Sequence, residues 1–158
     1  MATFDDYKPL FPIDRPADEK LENFVSHFYV ISDDASRDEE WVNSFLPDAT
    51  VIIGDKLAVG IENIRRMRKG MWEGVRTRRH KPLAVYLASF QPEASKYQAG
   101  ERPDAQYMIE GTLVSTHAND ETRELVWAAR AVLREDAGVL KYKLYQVYLH
   151  KKPEAIEG

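Results

Sequence analysis

Four side chains have the chemistry for proton transfer or carbonyl polarisation: His80, Tyr29, Tyr107 and Arg37. An imidazole that is neutral near pH 7 suits moving a proton to or from an enolisable carbon. His80 stands in the run Arg78-Arg79-His80-Lys81, where like charges favour that neutral form whether the ring faces a site or solvent. A buried phenol such as Tyr29 can hydrogen-bond a substrate carbonyl and stabilise an enolate, or it can pack in the core with its hydroxyl satisfied by backbone. Tyr107, near a strand end, could donate to a ligand oxygen. Arg37, in an acidic break with Asp33 and Asp34, could polarise a carbonyl or stay a solvated loop charge. Trp41, Trp72, Trp127, Tyr142 and Gln146 are the candidate pocket walls, although aromatic linings are often plain core.

Other chemistries lack their residues. The absence of cysteine excludes a thiolate nucleophile, a disulfide scaffold and thiolate metal sites. The four histidines (27, 80, 117 and 150) are scattered without metal-ligand spacing, so no metal is expected. Gly-rich phosphate loops and nucleophile elbows are missing, so neither is a cofactor. A net charge of −4 gives no reason to expect nucleic acid. The basic stretch Arg65, Arg66, Arg68, Lys69, Arg76, Arg78, Arg79 and Lys81 reads as a solvated helix face. No apolar run approaches the roughly 20 residues of a membrane span, and the acidic, proline-bearing start is unlike a signal peptide. The expected location is cytoplasmic.

The elements that must position these residues follow from periodicity. Residues 1–16 form an arm, ordered or loose, and 151–158 a tail, flanking one domain over 17–150. Leu21, Phe24, Val25, Phe28 and Tyr29 fall at helical spacing, with Asp18 available as cap. A second short helix carries Trp41, Val42, Phe45 and Leu46. Residues 50–53 and 56–59 read as short strands, and Gly60 opens a third helix with Ile61, Ile64, Met67, Met71 and Trp72 on one stripe. Strands follow at about 79–90, 105–117, 124–134 and 139–150, with a long polar connection over 91–104. The class is α+β: three helices on a curved antiparallel sheet.

Aligning the strands by their turns predicts Glu110 opposite Arg130, Leu113 opposite Trp127, Leu133 opposite Leu140 and Ala131 opposite Tyr142. One face then collects Tyr107, Ile109, Gly111, Leu113, Leu125, Trp127, Ala129, Ala131, Leu133, Leu140, Tyr142, Leu144, Gln146 and Tyr148. Gly111, Ala129 and Ala131 leave a gap there that either admits a bulky helix side chain or becomes a ligand cavity. The other face, with Met108, Glu110, Val126, Arg130, Lys143, Tyr145 and Val147, mixes apolar and charged groups. A homodimer contact or a partly covered sheet surface would explain it.

Three segments carry a resemblance: Phe45-Leu46-Pro47-Asp48-Ala49, Gly60-Ile61-Glu62-Asn63-Ile64 and His80 at the head of a long strand. Over about 17–150 the chain resembles SnoaL-like members of the nuclear-transport-factor-2 superfamily, the cone-shaped α+β barrel. Its WAARAVL and YQVYL segments are similar to filamentous-fungal members. The superfamily includes scytalone dehydratase, polyketide cyclases, ketosteroid isomerase, limonene-epoxide hydrolase and non-enzymatic binders. The resemblance implies a cofactor-free isomerase, cyclase or dehydratase of secondary metabolism, acting on a hydrophobic oxygenated metabolite, or a binding or scaffold protein of the same fold. It implies His80 as general acid or base, Tyr29 at the cone mouth and Arg37 near its rim. The second cavity histidine of scytalone dehydratase has no counterpart, and the Asp-Arg-Asp set of epoxide hydrolases is not recognisable.

Overall fold

In the computed structural model, which describes residues 3–90 and 103–157, Asp18 starts the first helix by accepting a hydrogen bond from the Leu21 amide at 3.1 Å. This helix, α1 (Glu19–Ser32), buries Leu21, Val25, Phe28, Tyr29 and Ile31, the stripe its spacing predicts. The second helix is shorter than expected. α2 (Asp38–Val42) stops before Phe45, because Phe45 and Leu46 open strand β1 (Phe45–Ile53). The register of β1 is irregular between Phe45 and Thr50, which accommodates Pro47 with its missing amide hydrogen. Strand β2 (Lys56–Val59) returns alongside, and Gly60 at φ 81° turns the chain into α3 (Ile61–Gly70).

Four long strands complete the chain: β3 (Val75–Ala88), β4 (Ala105–His117), β5 (Thr122–Asp136) and β6 (Val139–Lys151). The sheet order is β2-β1-β6-β5-β4-β3, antiparallel except for the parallel β1–β6 pair. The sheet curls without closing, and the three helices fill its concave side. The α+β cone expected from the sequence is therefore present. Most of the connection expected over 91–104 lies outside the described residues. No helix among those described is long and apolar enough to cross a membrane.

Two registers differ from expectation, with different consequences. β4 and β5 pair two residues out, Gly111 with Trp127 and Glu110 with Ala128, because the turn is built on residues 118–121 with Asp120 at φ 65°. A shift of two preserves the faces. Glu110 does not pair with Arg130; it accepts a hydrogen bond from Tyr86 at 3.0 Å. Between β5 and β6 the difference is a bulge. Leu133 faces Tyr142, Val132 faces Leu144, and Lys143 has no opposite number. Beyond it the faces exchange, so Tyr145 and Val147 turn inward while Leu144, Gln146 and Tyr148 turn outward.

The N-terminal arm is pinned to the sheet edge. Leu10 exchanges backbone hydrogen bonds of 2.9 Å with Leu83 and Val85 on β3. A 3-10 turn over Phe4–Tyr7 then buries the Tyr7 ring.

Candidate active site

The α1 helix ends at Asp33, whose carboxylate is turned toward β3. There Arg78 and His80, two residues apart, point to the same concave face. Asp33 Oδ1 lies 2.5 Å from His80 Nδ1, and Oδ2 accepts the His80 backbone N–H at 2.7 Å and the Tyr7 hydroxyl at 2.8 Å. The two side chains are only 11% and 5% exposed. A carboxylate can only accept, so His80 carries its ring proton on Nδ1 and keeps a lone pair on Nε2. Among the described residues, Nε2 has no hydrogen-bond partner.

Burial pushes the His80 pKa below its ordinary 6.5, overriding the upward pull of Asp33, while Arg78 and Arg68 add to the downward push. The ring is therefore a neutral base at pH 7. Burial, reinforced by the charge of Asp33, raises the Tyr7 hydroxyl above its usual range, which keeps it a donor. The Arg79 guanidinium lies over the Tyr7 ring at 4.6 Å and donates to its oxygen at 3.3 Å.

Arg68 holds the end of α1 in place. It is 1% exposed, pairs with Asp38 at 2.7 Å, and donates to the carbonyls of Ser32, Ile31 and Asp34 at 3.0–3.2 Å. A cation on the last carbonyls of a helix completes hydrogen bonds the helix leaves open. Two cations of the basic stretch, Arg68 and Arg78, are thus turned inward rather than solvated.

A cavity of about 50 Å³ lies between the helices and the sheet. Its polar lining is His80, Arg78, Arg68, Ser32 and Tyr145, and its apolar lining includes Phe28, Trp41, Met71, Trp127, Leu125 and Leu149. Leu149 is 42% exposed and marks the mouth.

Of the residues singled out in the sequence, the structure brings His80, Trp41 and Trp127 to this cavity. Tyr29 stands behind its wall, with its ring 5.4 Å from that of His80 and its hydroxyl 2.9 Å from that of Tyr145. Burial raises the pKa of Tyr29 and Tyr145, so both stay protonated. Trp72 does not border the space, but its ring lies against Arg68 and Arg78 at 5.4 and 5.6 Å. The remaining candidates are elsewhere. Tyr107 and Tyr142 bond each other at 3.4 Å within the core. Gln146 faces outward beside Arg130, on the far side of the bulge. Arg37 forms a two-pronged pair with Glu40 at 2.8 and 2.9 Å, outside the site.

The gap expected over Gly111, Ala129 and Ala131 is not the cavity, and none of the three lines it. The Trp127 indole fills the space at Gly111; a Cβ there would lie 2.6 Å from Trp127 Cζ2 and 2.5 Å from the Lys81 carbonyl oxygen. Asp33, Arg78, Arg68, Tyr145 and Tyr7 are the residues of this candidate site that sequence reasoning missed. The Tyr142–Tyr145 spacing was the one available signal, since two inward aromatics three apart in a strand require a bulge between them.

No protein-family model matches the chain, and no curated protein matches it in sequence. Solved structures do match in shape. A candidate scytalone dehydratase from Novosphingobium aromaticivorans is 13% identical, with 86% of this chain and 87% of that one covered at a TM-score of 0.68. ActVI-ORFA from Streptomyces coelicolor is 15% identical over 82% and 94% of the two chains at 0.63. LinA is 11% identical over 88% and 90% at 0.68. With three helices seated in a curled six-stranded sheet and neighbours of this kind, the chain has the SnoaL-like, nuclear-transport-factor-2-like cone fold.

Proposed function

We propose that this chain is a cofactor-independent enzyme moving protons on a hydrophobic, oxygenated small metabolite, as an isomerase, cyclase or dehydratase of secondary metabolism. The observation that carries the reading is the buried His80–Asp33 pair, with Nδ1 engaged at 2.5 Å and Nε2 left free on a residue that lines a cavity. Burial keeps the ring neutral, the carboxylate fixes its tautomer, and a neutral imidazole with an open lone pair is a general base. A space of about 50 Å³ holds a few waters or the reacting end of a ligand. The rest of the molecule would enter past Leu125 and Leu149, displacing flexible Met71.

The test is proton exchange. The protein is incubated in deuterated buffer with a panel of tetralones and cyclohexenones, and deuterium at the carbon beside the carbonyl is followed by NMR. Exchange with at least one ketone is expected, with loss in a His80→Ala variant that still unfolds cooperatively. Ketones that bind without exchanging, or exchange that survives His80→Ala, would overturn the enzyme reading. The outer sheet face leaves Tyr86, Met108, Val114 and Tyr148 37–55% exposed, and we read it as a homodimer contact. Light scattering checks this, with a Met108→Lys, Tyr148→Lys double variant expected to be monomeric.

A further inference from the structure

We infer that Arg78 is the oxygen-recognising residue of this site, and that the ligand it takes is a neutral carbonyl compound whose oxygen becomes negative when His80 removes the neighbouring proton. This deepens the acid–base reading and rests on it.

Arg78 is the cation the fold leaves unfinished. Arg68 has a carboxylate and three carbonyls. Arg78 lines the same cavity, and among the described residues its buried Nε–H has no acceptor and its single hydrogen bond is a long one of 3.5 Å to the Met71 carbonyl. Its guanidinium rests on the Trp72 ring, whose indole N–H is likewise buried without an acceptor. A buried donor with no acceptor is rare in folded proteins, because it gives up water and gains nothing in return. Arg78 borders the cavity, and a ligand oxygen there would complete its hydrogen bonding.

Charge decides which kind of oxygen. Arg68 is matched by Asp38, and Asp33 is the carboxylate whose charge acts on Arg78. With His80 neutral, the resting site is already balanced. A permanently anionic ligand would leave it one charge negative, whereas a ketone or aldehyde leaves it neutral. During the reaction the proton moves from carbon to His80 Nε2. The C–H electron pair becomes the new C=C bond, and the carbonyl π pair moves onto oxygen. An imidazolium and an enolate appear together, and Arg78 faces the enolate in a site screened from water. Return of a proton to that carbon regenerates the carbonyl compound with atoms and charges balanced, and where the substrate carries a β,γ double bond, return to the γ-carbon of the dienolate completes an isomerisation.

The test uses 4-nitrophenol, whose phenolate mimics an enolate and whose absorption reveals its ionisation state, with 4-nitrotoluene as the neutral comparison. The full chain is titrated with each, followed by absorbance and by the quenching of its three tryptophans. The wild type is expected to bind the phenolate more tightly than 4-nitrotoluene and to hold it ionised below its solution pKa. Arg78→Gln should lose about tenfold to a hundredfold in phenolate affinity while keeping that for 4-nitrotoluene. Arg78→Lys, which retains the charge and so guards against a misfolded glutamine variant, should fall between. Phenolate binding is read without turnover, so failure of the deuterium-exchange assay and failure of this proposal are separate outcomes. Phenolate affinity unchanged in Arg78→Gln, binding of the neutral phenol alone, or no binding to the wild type at millimolar concentration would each overturn it.

Discussion

Replacing Asp33 with asparagine tests how the site sets the proton on His80. The carboxylate accepts three hydrogen bonds, two at Oδ2 from the His80 backbone N–H and the Tyr7 hydroxyl, and one at Oδ1 from His80 Nδ1. An asparagine has one acceptor oxygen. The backbone N–H cannot turn around, so that oxygen must take the Oδ2 position, which leaves the NH2 group facing Nδ1. Imidazole then accepts at Nδ1 and carries its proton on Nε2, the nitrogen that should be free. The shape of the side chain barely changes, but the lone pair leaves the reacting position.

The magnitude follows from the same atoms. One hydrogen bond is exchanged for another of reversed direction, and two charge-assisted bonds become neutral ones. The expected loss of stability is about 1–3 kcal/mol, or roughly 3–10 °C in melting temperature for a chain of this size. The rate of deuterium exchange should fall much further, about 10³–10⁴-fold, because the wrong tautomer is held in place. Nitrogen NMR of the His80 ring provides the direct assay, with protonated Nδ1 expected in the wild type and protonated Nε2 in Asp33→Asn. If the variant keeps the wild-type tautomer, or retains exchange within tenfold, the argument from acceptor geometry is wrong.

Three further outcomes follow from the structure. Tyr7→Phe removes the 2.8 Å donor to Asp33 without altering the ring, so the carboxylate should pull harder on the His80 proton; the pKa seen in the exchange-rate profile should rise, at a stability cost of about 1–3 kcal/mol read from denaturant midpoints. Because burial lowers the folded-state pKa of His80, its contribution to stability is complete above the unfolded value of about 6.5 and is lost as pH falls toward the folded value; denaturant midpoints at stepped pH should show it, and His80→Gln should flatten that slope. Gly111→Ala sets a Cβ 2.5 Å from a backbone oxygen and 2.6 Å from Trp127, which is anchored by its 3.0 Å bond to the Thr112 carbonyl, so urea unfolding should show a loss of about 2–4 kcal/mol and weaker ligand binding.

How far the sequence could be read depends on the kind of physics involved. Helical and strand periodicities are local, and they placed α1, α3 and β3–β6 to within a few residues, while β1 began earlier than its β-branched segment suggested. His80, Trp41 and Trp127 were legible because each lies on the buried side of an element whose pattern is clear. Gln146 and Tyr145 changed sides because one extra residue, Lys143, reverses every face beyond it, and an alternation pattern carries that error to the end of the strand.

The buried charges were harder to read for a different reason. Arg68 and Arg78 sit among six other basic residues, and nothing in that stretch separates them from their solvated neighbours. Arg68 is turned inward by carbonyls that α1 leaves open 36 and 37 positions away in sequence, and Asp33 is buried because Tyr7 and His80 meet there from the arm and from β3. Burying an ion is unfavourable until its partners are in place, so no single segment can announce it. The same cooperativity argues for function. A fold needing only a filled cone could have used leucine at position 78 with no buried donor to satisfy, whereas this chain places an arginine two residues from a neutral, oriented histidine and leaves its buried Nε–H without an acceptor among the described residues.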